Sequence, residues 1–164
     1  MSHKNPMDTL ATLFQHNCWA NLRILEACAD LIDDQLDAAL VGTYGSIRNT
    51  LQHIVMAERS YFSRISTGQL YRQPKDAPPL TVAEMTELAD TTGSGLIEWT
   101  SKVGADDTVQ VDWDGTPRDV PKTILLTQAI NHATEHRAQI MAILTQLGIQ
   151  PPSLDGWTYF DEWE

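Results

Sequence analysis

The sequence predicts an all-α fold, a four-helix bundle with a short β-hairpin between the third and fourth helices. Apolar residues recur at spacings of three and four through four segments of about 20 residues, the period of a helix with one buried face. Helix-start and helix-stop residues bracket most of those segments. One stretch, 107–120, alternates with a period of two instead.

Asn5 can cap a first helix, with Pro6 at its first position, where a missing N–H costs nothing. Its stripe runs through Leu10, Phe14, Asn17, Ala20, Ile24, Cys28 and Leu31, and the acidic pair Asp33-Asp34 suggests that it ends nearby. Ser46 is a capping residue for the second helix, which carries Ile47, Leu51, Ile54, Glu58, Tyr61 and Ile65 and stops at Gly68. Three prolines between Gln73 and Pro79 mark a loop.

Thr81 and Glu84 form a capping box at the start of the third helix, with Leu80 and Met85 as the hydrophobic staple around it. The face Met85, Leu88, Thr92, Leu96, Trp99, Val103 follows, interrupted by Gly93 and Gly95, each weakening a helix by about 1 kcal/mol relative to alanine. Val109, Val111 and Trp113 then alternate with polar residues, and Asp114-Gly115 signals the turn of a hairpin. Pro121 opens the fourth helix and Gly148 closes it. No repeat or linker divides the chain, so residues 1–164 are expected to form one helical domain.

Bulk properties narrow the function. Of 164 residues, 42% are hydrophobic and 20% charged, a composition that rules against disorder along the whole chain. A net charge of −11 without a clustered basic patch opposes binding to a phosphate backbone, so nucleic acid is not an expected partner. No apolar run reaches 18 residues, which argues against a transmembrane helix, and the N-terminus lacks the apolar core of a secretory signal. Cys18 and Cys28 fall on one helix, roughly 15 Å apart and beyond disulfide reach. Unpaired cysteines suit a reducing compartment, and a cytoplasmic location is expected.

The fourth helix holds the most informative residues. His132 and His136 take positions in the stripe Leu125, Ala129, His132, His136, Ile140, Ile143, Leu147, where the pattern calls for core side chains. Four residues apart, they project one turn apart on one face, a spacing at which two imidazoles can share a metal. The pattern fits equally well a pair of core histidines bonded to Asn, Gln or Glu side chains. His53 lies beside the stripe of the second helix, near Asn49, Met56, Ala57 and Ser60, and suits a pocket wall. His16, beside Trp19, is a weaker candidate. Asn49, Gln128 and His16 are the candidate pocket-lining residues. Glu135 points about 100° away from His136 and is expected in solvent or in a supporting role. Trp19, Trp99 and Trp113 read as packing residues, and Trp157 and Tyr159 as residues that close a bundle end or meet another subunit. Arg137 reads as the partner of an acidic side chain at a helix interface.

Four short motifs in order, Asn17-Cys-Trp-Ala-Asn21, Ser46 to His53, His132-Ala-Thr-Glu-His-Arg137 and Pro151-Pro-Ser-Leu-Asp-Gly-Trp157, resemble the DinB/YfiT-like family of proposed metalloenzymes. The resemblance spans nearly the whole chain and implies the DinB-like bundle fold. It also implies one divalent metal ion on His53, His132 and His136. Three imidazoles leave open positions on the ion, as in a catalytic site. Ligand type suits Zn²⁺ or Ni²⁺, with Mn²⁺ or Fe²⁺ as alternatives. Relatives of this fold include S-transferases and isomerases that use low-molecular-weight thiols. The resemblance therefore implies a metal-dependent S-transferase acting on a small-molecule substrate with such a thiol, and a homodimer. A non-catalytic metal-binding stress-response protein, a metal-dependent hydrolase and a purely structural bundle are the alternatives.

Overall fold

A computed structural model describes residues 8–162. Four long helices, α1 (Thr9–Cys28), α3 (Ile47–Thr67), α4 (Val82–Trp99) and α5 (Lys122–Gln146), make up the bundle. Two short helices, α2 (Asp33–Leu36) and α6 (Gly156–Glu162), and a two-stranded antiparallel hairpin, β1 (Thr108–Val111) with β2 (Arg118–Pro121), complete the described chain. The long helices pack in a ring, α1 on α4, α4 on α3, α3 on α5 and α5 back on α1.

The ends follow local chemistry. The Ser46 hydroxyl accepts the Asn49 N–H at 3.2 Å to start α3, and Gly68, at φ 75°, ends it in the left-handed region that favours glycine. Both bonds of the Thr81–Glu84 capping box form, at 2.8 and 3.2 Å. The start proposed at Asn5 and Pro6 lies outside the described residues. Three boundaries differ from the sequence reading. The first helix stops at Cys28, and Asp33 and Asp34 begin the separate helical turn α2, where Arg48 pairs with Asp33 and Asp37 at 2.7 and 2.8 Å. α4 ends at Trp99, so Val103 lies beyond it in a turn. Pro121 closes β2, and α5 begins one residue later.

The hairpin covers one end of the core. Val109 and Val111 are buried against Phe14, Leu96 and Leu125, whereas Trp113 is 58% exposed beside Arg118. Trp113 is thus not a core residue: it lies in the six-residue loop 112–117, where the alternation of the strand no longer applies. Gly93 and Gly95 mark close approaches. A Cβ on Gly93 would stand 2.5 Å from Cys18 Sγ on α1, and one on Gly95 would stand 2.4 Å from the Phe62 ring on α3.

A polar layer divides the apolar interior into two clusters, one around Ile24, Leu51, Met85 and Ile140, the other around Phe14, Ile65, Leu96 and Leu125. It consists of Asn17 and Asn21 from α1, Glu58 from α3, Thr92 from α4 and Arg137 from α5, all buried. Arg137 Nη1 donates to Asn17 Oδ1 at 2.9 Å and to Asn21 Oδ1 at 2.6 Å. The amide nitrogens of those asparagines donate to Glu58 Oε2 at 3.0 and 2.9 Å, and Thr92 Oγ1 lies 3.1 Å from Glu58 Oε1. Arg137 and Glu58 are therefore joined through two asparagines rather than directly. Burial pushes the Glu58 carboxyl up, opposed by Thr92, Asn17, the Arg137 charge and Asn21. Burial also lowers the Arg137 guanidinium to about 10, against the pull of Glu58. Among the described residues, every buried side-chain nitrogen and oxygen has a partner.

A candidate metal centre between two helices

α3 supplies His53, and α5 supplies His132 and His136, one turn apart on the face turned to α3. The structure brings these imidazoles together: ring centroids are 4.6 Å apart for His53 and His132, 4.8 Å for His53 and His136, and 4.5 Å for His132 and His136. One ring nitrogen from each lies within 4.8 Å of the other two. His136 is buried, and the other two are half-buried.

The hydrogen bonds fix part of the protonation. Gln139, one turn beyond His136, takes the Tyr44 backbone N–H at 3.0 Å and lies 2.9 Å from His136 Nδ1, both through Oε1. A backbone N–H only donates, so the atom it meets must be the carboxamide oxygen. That oxygen only accepts, so Nδ1 of His136 carries a hydrogen, and Nε2 is the ring nitrogen left to face the other imidazoles. His53 Nε2 and His132 Nε2 stand 2.8 Å apart, so one of them bears a hydrogen.

Burial, with His136 and His53 close by, lowers His132 to about 4. Burial and His136 lower His53 below its ordinary value. Both imidazoles are therefore neutral near pH 7. Three imidazole nitrogens gathered in this way fit a divalent transition metal ion.

Tyr44, in the loop between α2 and α3, stacks on the His53 ring at 4.0 Å and 11°, and sets its ring edge-on to His136 at 5.3 Å. Beside them opens a cavity of about 430 Å³ lined by Tyr44, Asn49, Gln52, His53, Met56 and Gln73. Asn49 lines it. Gln128 does not: it is exposed on α5 and bonds Tyr61, whose ring sits edge-on to His132 at 6.1 Å. His16 lies elsewhere, where α1 meets the C-terminal segment. Its Nε2 donates to the Leu154 carbonyl at 2.8 Å, its ring packs on Trp19 and Tyr159, and it lines a second cavity against α6. Glu135 is exposed. Tyr159 packs on α1 beside Trp19, whose indole N–H donates to Glu162, whereas Trp157 is 81% exposed.

Gln139 and Tyr44 were not singled out by sequence reasoning. The i, i+3 spacing from His136 could have pointed to Gln139, but a loop tyrosine carries no periodic signal.

The family model for the DinB family matches residues 1–164. No curated protein matches the chain. Solved structures share the fold, two DinB-like proteins among them. A DinB-like protein from Bacillus cereus has a TM-score of 0.62 at 21% identity, over 85% of this chain and 91% of its own. A DinB-like protein from Bacillus subtilis has a TM-score of 0.63 at 14% identity, over 90% of this chain and 99% of its own. With its helical bundle and its cluster of three histidines, this chain belongs to the DinB family.

Proposed function

We propose that His53, His132 and His136 hold one divalent transition metal ion, zinc or nickel by ligand type, in a metal-dependent enzyme acting on a small molecule. The observation that carries this reading is the cavity of about 430 Å³ that opens beside the imidazole cluster, with His53 in its wall. A site that only stored a metal would have no need of such a space, so the cavity favours catalysis over metal binding alone. When bound, the ion would act as a Lewis acid and lower the pKa of a coordinated thiol or water.

The cavity lining, Tyr44, Asn49, Gln52, Met56 and Gln73, carries no charged group, and it is the resemblance to thiol-using relatives that points the ion toward a thiol. Asn49, Gln52 and Gln73 would bind the polar part of a substrate through their carboxamides. The specific reading is an S-transferase joining a low-molecular-weight thiol to an electrophile. Two buried free cysteines fit the reducing compartment that such a thiol requires.

Elemental analysis of purified protein tests the metal, with His53→Ala, His132→Ala and His136→Ala alongside. About one equivalent in the parent, lost in each variant, is expected. Metal-loaded protein is then assayed for conjugation of glutathione, bacillithiol or mycothiol to an electrophile. Metal retained in all three variants refutes the site, and a loaded protein inactive with every thiol refutes the transferase.

A further inference from the structure

We propose that Gln139 is a positioning residue that ties the imidazole cluster to the cavity wall, holding His136 in one tautomer and Tyr44 closed against His53. The metal-binding part rests on the reading above, whereas the tautomer and the loop tether are properties of the protein alone.

One oxygen does both jobs. Gln139 Oε1 accepts from His136 Nδ1 at 2.9 Å and from the Tyr44 backbone N–H at 3.0 Å. The first bond occupies His136 Nδ1 and leaves Nε2 as the ring nitrogen that can meet the other imidazoles. The second anchors a residue that belongs to no helix or strand. The neighbouring side chain Thr43 bonds only within the loop, to Leu40 and Gly45, so it does not attach the loop to α5. Tyr44 is thus gripped at its main chain by Gln139, while its ring lies flat on His53 at 4.0 Å. Tyr44 and His53 line the same cavity, so the carboxamide that orients His136 also sets the position of the wall a substrate would meet.

The arrangement is chemically specific. A flipped carboxamide would place NH₂ against the Tyr44 N–H, donor against donor. A shorter side chain would not span the two partners. A carboxylate at position 139 would keep an accepting oxygen in place and support both bonds.

The experiment compares the parent with Gln139→Met, which is similar in size and has no strong acceptor, Gln139→Ala as a second loss of the oxygen, and Gln139→Glu, which retains it. In metal-free protein, ¹⁵N NMR reads the His136 tautomer and hydrogen exchange reads the Tyr44 amide. Expected are a single Nδ1–H tautomer and a protected amide in the parent and in Gln139→Glu. Gln139→Met and Gln139→Ala are expected to show mixed tautomers and about tenfold faster exchange at Tyr44. A Co²⁺ titration adds a third readout, with affinity about 10–100-fold weaker in Gln139→Met and Gln139→Ala and a changed visible spectrum, both restored in Gln139→Glu. Parent-like tautomer and exchange in Gln139→Met and Gln139→Ala overturn the positioning role. If even the parent binds no Co²⁺, the metal reading fails, and the tautomer and exchange data still decide the role of Gln139.

Discussion

Replacing Arg137 by methionine should be among the most damaging single changes to this protein. The side chain is 4% exposed, and the loss would orphan two acceptors, Asn17 Oδ1 and Asn21 Oδ1, each on a residue 1% exposed. A buried acceptor left without a partner costs about 1–3 kcal/mol. Rotating the asparagine amides offers no escape, because it would turn their oxygens toward Glu58, which now accepts from their nitrogens. Glu58, 2% exposed, would also lose the Arg137 charge that favours its ionised form. Removing one member of a buried pair typically costs about 3–5 kcal/mol, which for a chain of this size lowers Tm by about 6–20 °C. Denaturant unfolding of Arg137→Met, Glu58→Leu and the double variant measures this. The double variant should lose less than the sum of the single losses, by about 2 kcal/mol, because neither charge is stranded. A cost below about 1 kcal/mol for Arg137→Met, or additivity within about 0.5 kcal/mol, refutes the reasoning.

Gly93→Ala should destabilise by about 1–3 kcal/mol, against the gain of about 1 kcal/mol that alanine normally brings to a helix, because its Cβ would meet Cys18 Sγ at 2.5 Å. Adding Cys18→Ala should recover part of that loss, and a Gly93→Ala protein that melts above the parent would contradict the close packing. The metal-free protein should lose stability as pH falls from about 6.5 toward 4: the unfolded chain binds a proton at position 132 that the folded His132, lowered to about 4, refuses. With the ring half-open to water the effect is about 1–2 kcal/mol, and His132→Asn should remove it; identical pH profiles for the two proteins would rule it out. Burial pushes both cysteine thiols up to about 12, so a thiol reagent should label the native protein only as fast as it unfolds, and rapid labelling at pH 8 would show an open route to Cys18 or Cys28.

What the sequence discloses here is what short-range chemistry determines. Ser46, Gly68, Thr81 and Gly148 act within a turn of where they stand, so the helix ends they govern can be read directly. His132 and His136 declare themselves by interrupting an apolar stripe. His53 does not, since its position beside a stripe suits many structural roles; the family resemblance singled it out. The features missed are those that depend on which helices are neighbours. His16 looks like a pocket residue until its ring is seen packed on Trp19 and Tyr159 and bonded to the Leu154 carbonyl. Gly93 and Gly95 look like weak points in a helix until Cys18 and Phe62 are seen pressed against them. The bond from Gln139 to Tyr44 joins residues 95 apart in the chain, beyond the reach of any periodicity.

Two consecutive residues of α5 serve two different centres. His136 faces α3 and the imidazole cluster, while Arg137, about 100° further round the helix, reaches α1. Apolar packing alone would fix the rotation of α5 loosely, because it is not directional. The bonds from Arg137 to Asn17 and Asn21 are directional and fully buried, so turning α5 about its axis would break them before it moved the histidines far. A site that must hold its ligand atoms to about 0.5 Å needs a restraint of that kind.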